Sequence, residues 1–134
     1  MSFENINGEL LCKDNQALEC IIKTNSAGAL ALSAEAVGIM QVCFDLTLDY
    51  LKTRKQFGKS IGAFQSIQHR MVDMMLEIEQ VRSAVMLASS TFESNSTTRD
   101  KNVSAAKNLV GRVGKLIAEE SVQLHGGIAM TWEY

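Results

Sequence analysis

The sequence predicts an all-α fold, an up-and-down helical bundle built from three long helices. Two observations carry this. Pro is absent from all 134 residues, while Met, Ala, Leu, Glu and Lys, all good helix formers, are plentiful. And from Phe64 to Phe92 the apolar residues Phe64, Ile67, Met71, Met74, Ile78, Val81, Val85, Ala88 and Phe92 recur at steps of three and four without a miss. That period is helical, and no strand or loop keeps it over such a length.

Residues 1–13 read as a lead-in or the remnant of a preceding domain, with Ile6, Leu10, Leu11 and Cys12 around Asn7-Gly8. Residues 14–134 form the bundle domain. The first helix starts at Asp14, a plausible N-cap. A weak break is expected at Thr24-Asn25-Ser26 before Gly28, after which the helix continues to about Thr53. Its expected core stripe is Leu32, Ala36, Ile39, Cys43, Leu46 and Tyr50, with Met40, Phe44 and Leu51 forming a second stripe. Residues 54–63 hold Gly58, Ser60 and Gly62 and read as a turn. The second helix runs from about Ser60 to Glu93. A polar loop, 94–100, follows, with Thr98 or Asp100 able to cap what comes next. The third helix runs from about Asp100 to His125, with Val103, Ala106, Val110, Val113, Ile117, Ser121 and Leu124 on one face. Gly111 and Gly114 inside it cost about 1 kcal/mol each against Ala. A close approach by a neighbouring helix is the expected compensation. Gly126-Gly127 ends the helix with a left-handed cap. The first helix is apolar on more than one side, so a three-helix set leaves apolar surface uncovered, which a fourth helix or a partner subunit would cover.

Composition narrows the function classes. With 46% hydrophobic and 21% charged residues, disordered and fibrous classes are excluded. A net charge of −2 gives no electrostatic footprint for nucleic acid or an anionic membrane. The longest apolar run, Ala27 to Met40, is interrupted by Gly28, Ser33, Glu35 and Gly38 and reads as too short to span a bilayer. No charged segment followed by an apolar one opens the chain, so no secretory signal is expected. Cys12, Cys20 and Cys43 form no CxxC, and with seven Met they suggest a reducing cytoplasm.

Metal and nucleophile chemistry find little support. A di-iron bundle needs Glu-x-x-His pairs, but Ser66 and Val122 stand three residues before His69 and His125. No metal site is expected. Cys43 reads as a small buried hydrophobe, and Cys12 and Cys20 lack a basic neighbour to activate a thiol. Glu77, Glu79, Glu119 and Glu120 read as a solvated helix face.

Two segments carry more. Lys52, Arg54, Lys55 and Lys59 cluster where one helix ends and the next begins. They either complement a helix C-terminus or bind an anion. Arg supplies a two-pronged donor for phosphate, the next helix offers first-turn N–H groups, and Gln56, Gln65 and Gln68 add neutral donors and acceptors suited to an amide-bearing heterocycle. The second segment is Gln123-Leu124-His125-Gly126-Gly127. Its glycines serve as a helix cap or as a place for a ligand to approach the backbone, and His125 reads as packed or capping.

Glu35-Ala-Val-Gly38, Thr53-Arg-Lys-Gln-Phe-Gly58, Phe64-Gln-Ser-Ile-Gln-His-Arg70 and Gln123-Leu-His-Gly-Gly127 stand in the order of landmarks found in the C-terminal helical domain of acyl-CoA dehydrogenases. The chain resembles that domain from about Ser33 to Tyr134. Ile61-Gly62, Gln68–Met74 and the Thr131–Tyr134 ending are nearest to bacterial branches such as the pimeloyl-CoA dehydrogenase small subunit. The resemblance implies an incomplete C-terminal four-helix bundle, an FAD cofactor, an acyl-CoA substrate and an electron-transfer flavoprotein as electron acceptor. It implies that Arg54 contacts the FAD pyrophosphate, that Gln56 and Phe57 flank it, that Gln65 touches the nucleotide, and that Gln123, Leu124, His125, Gly126 and Gly127 line its ADP half. In the family that FAD belongs largely to a neighbouring subunit, so a homo-oligomer, dimer or tetramer, is implied. The family's catalytic Glu commonly lies in a tail beyond Tyr134. In a minority it lies near the start of the first long helix, at the position of Gly28 by register from Arg54, and Ser26, Ala27 and Ala29 also lack the substrate-binding residues some members place there. No catalytic residue is therefore expected in this chain, which is expected to be inactive alone. The competing expectations are a non-enzymatic helical assembly module and a catalytically silent subunit of a heteromeric dehydrogenase. The joint presence of Arg54, Gln65 and Gln123 favours the nucleotide-binding reading.

Overall fold

The computed structural model describes Glu4, residues 7–9 and residues 14–132. Helix α1 spans Asp14–Thr53, α2 Gln65–Ser90 and α3 Ser96–His125. Between α1 and α2 lie two short strands, β1 (Lys55–Gln56) and β2 (Lys59–Ser60), and a 3₁₀ turn at Ile61–Ala63. A second 3₁₀ turn, Gly126–Met130, follows α3. Of the lead-in, Glu4 and residues 7–9 have no regular secondary structure, and the rest lies outside the described residues.

α2 is the spine. Met71, Met74, Ile78, Val81, Val85 and Ala88 are all buried, as its periodicity predicts. α3 returns the same pattern with Val103, Ala106, Val110, Val113, Ile117 and Leu124. The short connections make neighbours antiparallel, so α1 and α3 run in the same direction. Cross-helix polar contacts agree. Lys23 of α1 meets Glu93 after α2 at 2.8 Å, and Arg70 of α2 meets Glu120 of α3 at 2.7 Å.

The structure corrects the reading of α1 in three ways. The helix is unbroken through Thr24–Ser26: these are weak helix formers, yet neither Pro nor a positive-φ glycine stops the ladder. Being continuous, α1 is longer than its apolar run suggests: Gln16–Thr53 is long and apolar enough for a membrane span by length and composition alone, a criterion that core helices of soluble proteins also meet. The core face is also displaced. Ser33, Val37, Met40, Thr47 and Leu51 are buried, with Phe44 partly so, while Leu32, Ile39 and Leu46 of the expected stripe are exposed. Ser33 and Thr47 tolerate burial because each hydroxyl donates to the carbonyl one turn back, Ala29 O and Cys43 O, both at 2.7 Å.

Smaller corrections follow. α2 begins at Gln65 rather than Ser60, because 55–60 are hydrogen-bonded as a hairpin. α3 begins at Ser96 inside the expected loop, and its cap is Asn95, whose Oδ1 accepts from Thr98 N at 2.9 Å. Gly111 and Gly114 have no neighbour within 4 Å of where a Cβ would stand, so among the described residues nothing makes the close approach expected of them.

Among the described residues, one charged residue lies inside. Arg99 at the start of α3 is only 4% exposed. Its Nε donates to Asp100 Oδ1 at 3.0 Å, which also accepts from Ser26 of α1 at 3.0 Å. The Nη2 group is buried with no hydrogen-bond partner. The Arg99 and Ser26 hydrogen bonds hold the Asp100 carboxyl below its ordinary value of 3.8.

Two outcomes test this packing. Leu51→Ala, at a position 1% exposed, should lower stability by about 2–5 kcal/mol, whereas Leu46→Ala, at a position 62% exposed, should cost under about 0.5 kcal/mol in the monomer. Urea denaturation of dilute protein checks both, and equal losses would return the core to the outer stripe. The Asp100 carboxylate binds its proton less readily folded than unfolded, so its contribution is present above the ordinary carboxylate value and is lost as pH falls through the lowered one. The fall in urea midpoint across that acid range should be shallower in Asp100→Asn than in the parent.

Candidate functional site

Because α1 and α3 run in the same direction and α2 runs opposite, the C-terminal ends of α1 and α3 meet beside the N-terminus of α2. Tyr50, near the end of α1, and His125, the last residue of α3, stack with ring centroids 4.5 Å apart and planes inclined by 28°. Both segments singled out in the sequence therefore lie at one end of the bundle.

The first segment is the hairpin. Lys55 pairs with Ser60 and Gln56 with Lys59, leaving Phe57-Gly58 as a two-residue turn. Both turn residues have positive φ, 54° and 82°, as type I′ hairpins require. Gly58 adopts this freely. Phe57 does so at a cost of about 1–2 kcal/mol, and it is 91% exposed, its ring standing perpendicular to that of Phe64 at 6.2 Å between centroids. A strained, outward-pointing aromatic at a loop tip is a common mark of a binding position. The hairpin is clamped at its base. Arg54 N donates to Tyr50 O at 2.8 Å, and Ile61 N donates to Arg54 O at 2.9 Å. Gly62 lies so close to α1 that a Cβ there would stand 3.0 Å from Leu51 O.

The electrostatics of this end are one-sided. Lys52, Arg54, Lys55 and Lys59 are exposed, and none makes an ion pair among the described residues; Lys59 Nζ sits 4.1 Å from the centre of the Phe64 ring. α2 begins beside them after Phe64, with no side-chain cap and no acidic residue in its first turn. Uncompensated cations next to an uncapped helix N-terminus suit a phosphate-bearing ligand. Gln65 is exposed at that N-terminus. Gln56 is exposed with its amide turned to Lys55 O at 2.8 Å, and Gln68 donates to Gly62 O at 3.1 Å.

The second segment splits. Gln123 and the Gly126–Gly127 backbone are exposed. Leu124 points into the core, so only its backbone is available to a ligand. His125 is half-buried, and its Nδ1 lies 2.7 Å from Ser121 O. Gly126 does take positive φ, 69°, but with ψ −148° it is extended rather than left-handed helical, a region open essentially to glycine alone. An apolar cleft of about 370 Å³ lies beneath the hairpin between α1 and α2, lined by Leu48, Leu51, Ile67 and Met71 with Lys52 and Gln68.

Sequence reasoning missed the hairpin pairing and the part played by Tyr50. Phe-Gly is a poor type I′ signature beside Asn-Gly, and Lys-Gln facing Lys-Ser has no alternation to betray a strand. Gly28, which the resemblance alone aligns with a catalytic position, is exposed on α1. Among the described residues, no three of His, Cys, Asp and Glu cluster as metal ligands.

Known proteins share this helical fold. The family model of the acyl-CoA dehydrogenase C-terminal domain matches residues 17–134. Acyl-CoA dehydrogenase IpdE2 of Mycolicibacterium smegmatis is 37% identical over 106 residues, covering 79% of this chain and 32% of that protein. Butyryl-CoA dehydrogenase from Megasphaera elsdenii has a similar structure, with a TM-score of 0.77 and 32% identity over 84% of this chain and 29% of that one. A structure of PigA with FAD and proline is similar at a TM-score of 0.73 and 33% identity, over 79% of this chain and 27% of that one. The chain thus spans about a third or less of the length of these relatives. The helix order, the Arg54 hairpin and the Gln123–Gly127 turn all fall within the family match, and the chain belongs to the acyl-CoA dehydrogenase family, as its C-terminal helical domain.

Proposed function

We propose that this chain is the part of an FAD-dependent acyl-CoA dehydrogenase that holds the nucleotide half of the flavin and joins subunits. The observation that carries the reading is the convergence of Arg54, Phe57, Gln65 and the Gln123–Gly127 turn at one end of the bundle. The donor set fits the cofactor. Arg54, exposed and without an ion pair among the described residues, would hold the pyrophosphate, flanked by Gln56 and Phe57. Gln65 and Gln123 would donate to the ADP half, and the backbone of Leu124, His125, Gly126 and Gly127 would line it.

FAD, when bound, accepts the hydride that leaves the β-carbon of an acyl-CoA thioester while a base takes the α-proton. This chain supplies no residue for that base, since Gly28 has no side chain, and the base is expected outside it. The chain alone is accordingly inactive towards acyl-CoA. Residues 14–134 form the domain and 1–13 its lead-in. The whole enzyme is cytoplasmic and passes its electrons to an electron-transfer flavoprotein. The exposed Leu32, Ile39, Val42 and Leu46 of α1 support burial against other chain, in a homodimer or tetramer.

That same exposed stripe favours a second reading, a non-enzymatic helical assembly module or a silent subunit. Such a module leaves the unpaired cations at the α2 N-terminus without a role.

The test begins with the codons flanking this chain. They should encode a β-rich domain upstream and, downstream, a further helix with a Glu. The protein expressed with them should retain FAD and desaturate an acyl-CoA. Loss of one charge-assisted hydrogen-bonding group of about 1.5–3 kcal/mol means that Arg54→Gln should weaken FAD retention by about 10- to 150-fold. A flanking sequence without those domains, or FAD retention indifferent to Arg54, would hand the case to the assembly module.

A further inference from the structure

Arg54 follows the last residue of α1, and the Gln123–Gly127 segment runs off the end of α3, so the two belong to separate elements. Something must hold them at a fixed separation if they are to grip one ligand. We propose that the stacked pair Tyr50–His125 is the strut that does so, and that the His125 side chain positions the nucleotide site rather than touching the ligand. This rests on the FAD reading above for its consequence, though not for its geometry.

The strut reaches both halves through short, defined links. On the α1 side, Tyr50 O accepts the Arg54 amide at 2.8 Å, and Arg54 O in turn accepts the Ile61 amide that closes the hairpin. Any shift of Tyr50 is therefore passed directly to Arg54 and the hairpin base. On the α3 side, His125 immediately precedes Gly126, whose φ of 69° and ψ of −148° start the exposed turn. The amide of Gly126 donates back to Gln123 O and Val122 O, so the turn and Gln123 move together.

The imidazole is itself fixed. A carbonyl oxygen only accepts, so the 2.7 Å contact with Ser121 O requires that Nδ1 carry the proton. That bond sets the ring plane one helical turn back on α3, and the opposite constraint is the Tyr50 ring at 4.5 Å. Directly inward lie Leu51 and Leu124, both buried, which anchor the backbones next to the two rings. The stack thus joins α1 to α3 at the end of the bundle that carries the hairpin and the glycine turn. An aromatic pair at this separation and tilt is in the offset range that attracts beyond simple burial.

The strut makes the two loops report on each other. In the 134-residue chain, His125→Ala should speed amide exchange at Arg54 and Ile61 by about tenfold, though these lie on the other element. Tyr50→Leu should do the same for residues 126–130. Amides at Met74 and Val81 should stay as slow as in the parent, and His125→Phe, which keeps a ring, should restore Arg54 and Ile61. Changes confined to the substituted element, or a Phe variant as fast as Ala, would overturn the proposal. Should His125→Ala unfold, His125→Leu replaces it, keeping bulk without a ring. In the assembled enzyme, FAD retention should fall with His125→Ala and recover with His125→Phe. Retention that falls with Arg54→Gln but not with His125→Ala also sinks the positioning role. Retention indifferent to both substitutions fails the FAD reading instead, and the exchange experiment then decides the strut by itself.

Discussion

The structure depends on one constraint, the dry seam along α2. Met74, Val81 and Ala88 are completely excluded from solvent, and every apolar step from Met71 to Ala88 is buried. A helix buried along a single stripe can be flanked only by helices that keep its period, and α3 does so from Val103 to Leu124. Short connections then force antiparallel neighbours and bring the ends of α1 and α3 together at the start of α2. The candidate site is a consequence of that packing. Its cations, its uncapped helix N-terminus and its glycine turn come from three places in the sequence, and only the seam makes them neighbours.

What could be read from the sequence follows from how local each signal is. The stripes of α2 and α3 are apolar and regular, so residue type and position agree. In α1 they disagree: the outer stripe of Leu32, Ile39 and Leu46 is more hydrophobic than the inner one, which includes Ser33 and Thr47. Hydropathy alone chooses the wrong face. The inner face wins because two hydroxyls are satisfied within their own helix, which no count of apolar residues reveals. The hairpin was hidden for a related reason. Its turn uses Phe57 where the favoured residues are Asn and Asp, so the local sequence opposes the conformation it adopts.

The candidate site divides along the same line. Arg54, Gln65, Gln123 and the glycine pair were legible as residues with suitable chemistry at suitable spacing. The inward turn of Leu124 was legible as well, from the same stripe that places Ile117 in the core, and it leaves the Leu124 side chain out of the site. The Tyr50–His125 stack was illegible in principle, because it joins two helix ends that only the fold brings into contact. Sequence motifs name the groups that touch a ligand far better than the groups that hold them in place.

The outer face of α1 and the two glycines of α3 bear on one question, whether this domain is complete in itself. Leu32, Ile39, Val42 and Leu46 spend apolar surface on solvent, and Gly111 and Gly114 weaken α3 without any close neighbour in return. Neither feature stabilises the three-helix unit alone, and both are costs to it. A sequence selected only to fold as this bundle would lose them readily, since Gly→Ala within a helix and Leu→Lys at an exposed position are easy substitutions. Their presence is best accounted for by chain that packs outside this unit. The unpaired cations of the Arg54 end pose the same imbalance in charge rather than in apolar area. An assembly role answers the first imbalance and leaves the second, whereas a flavin-binding subunit contact answers both, which is why the FAD-dependent dehydrogenase is the stronger reading of this domain.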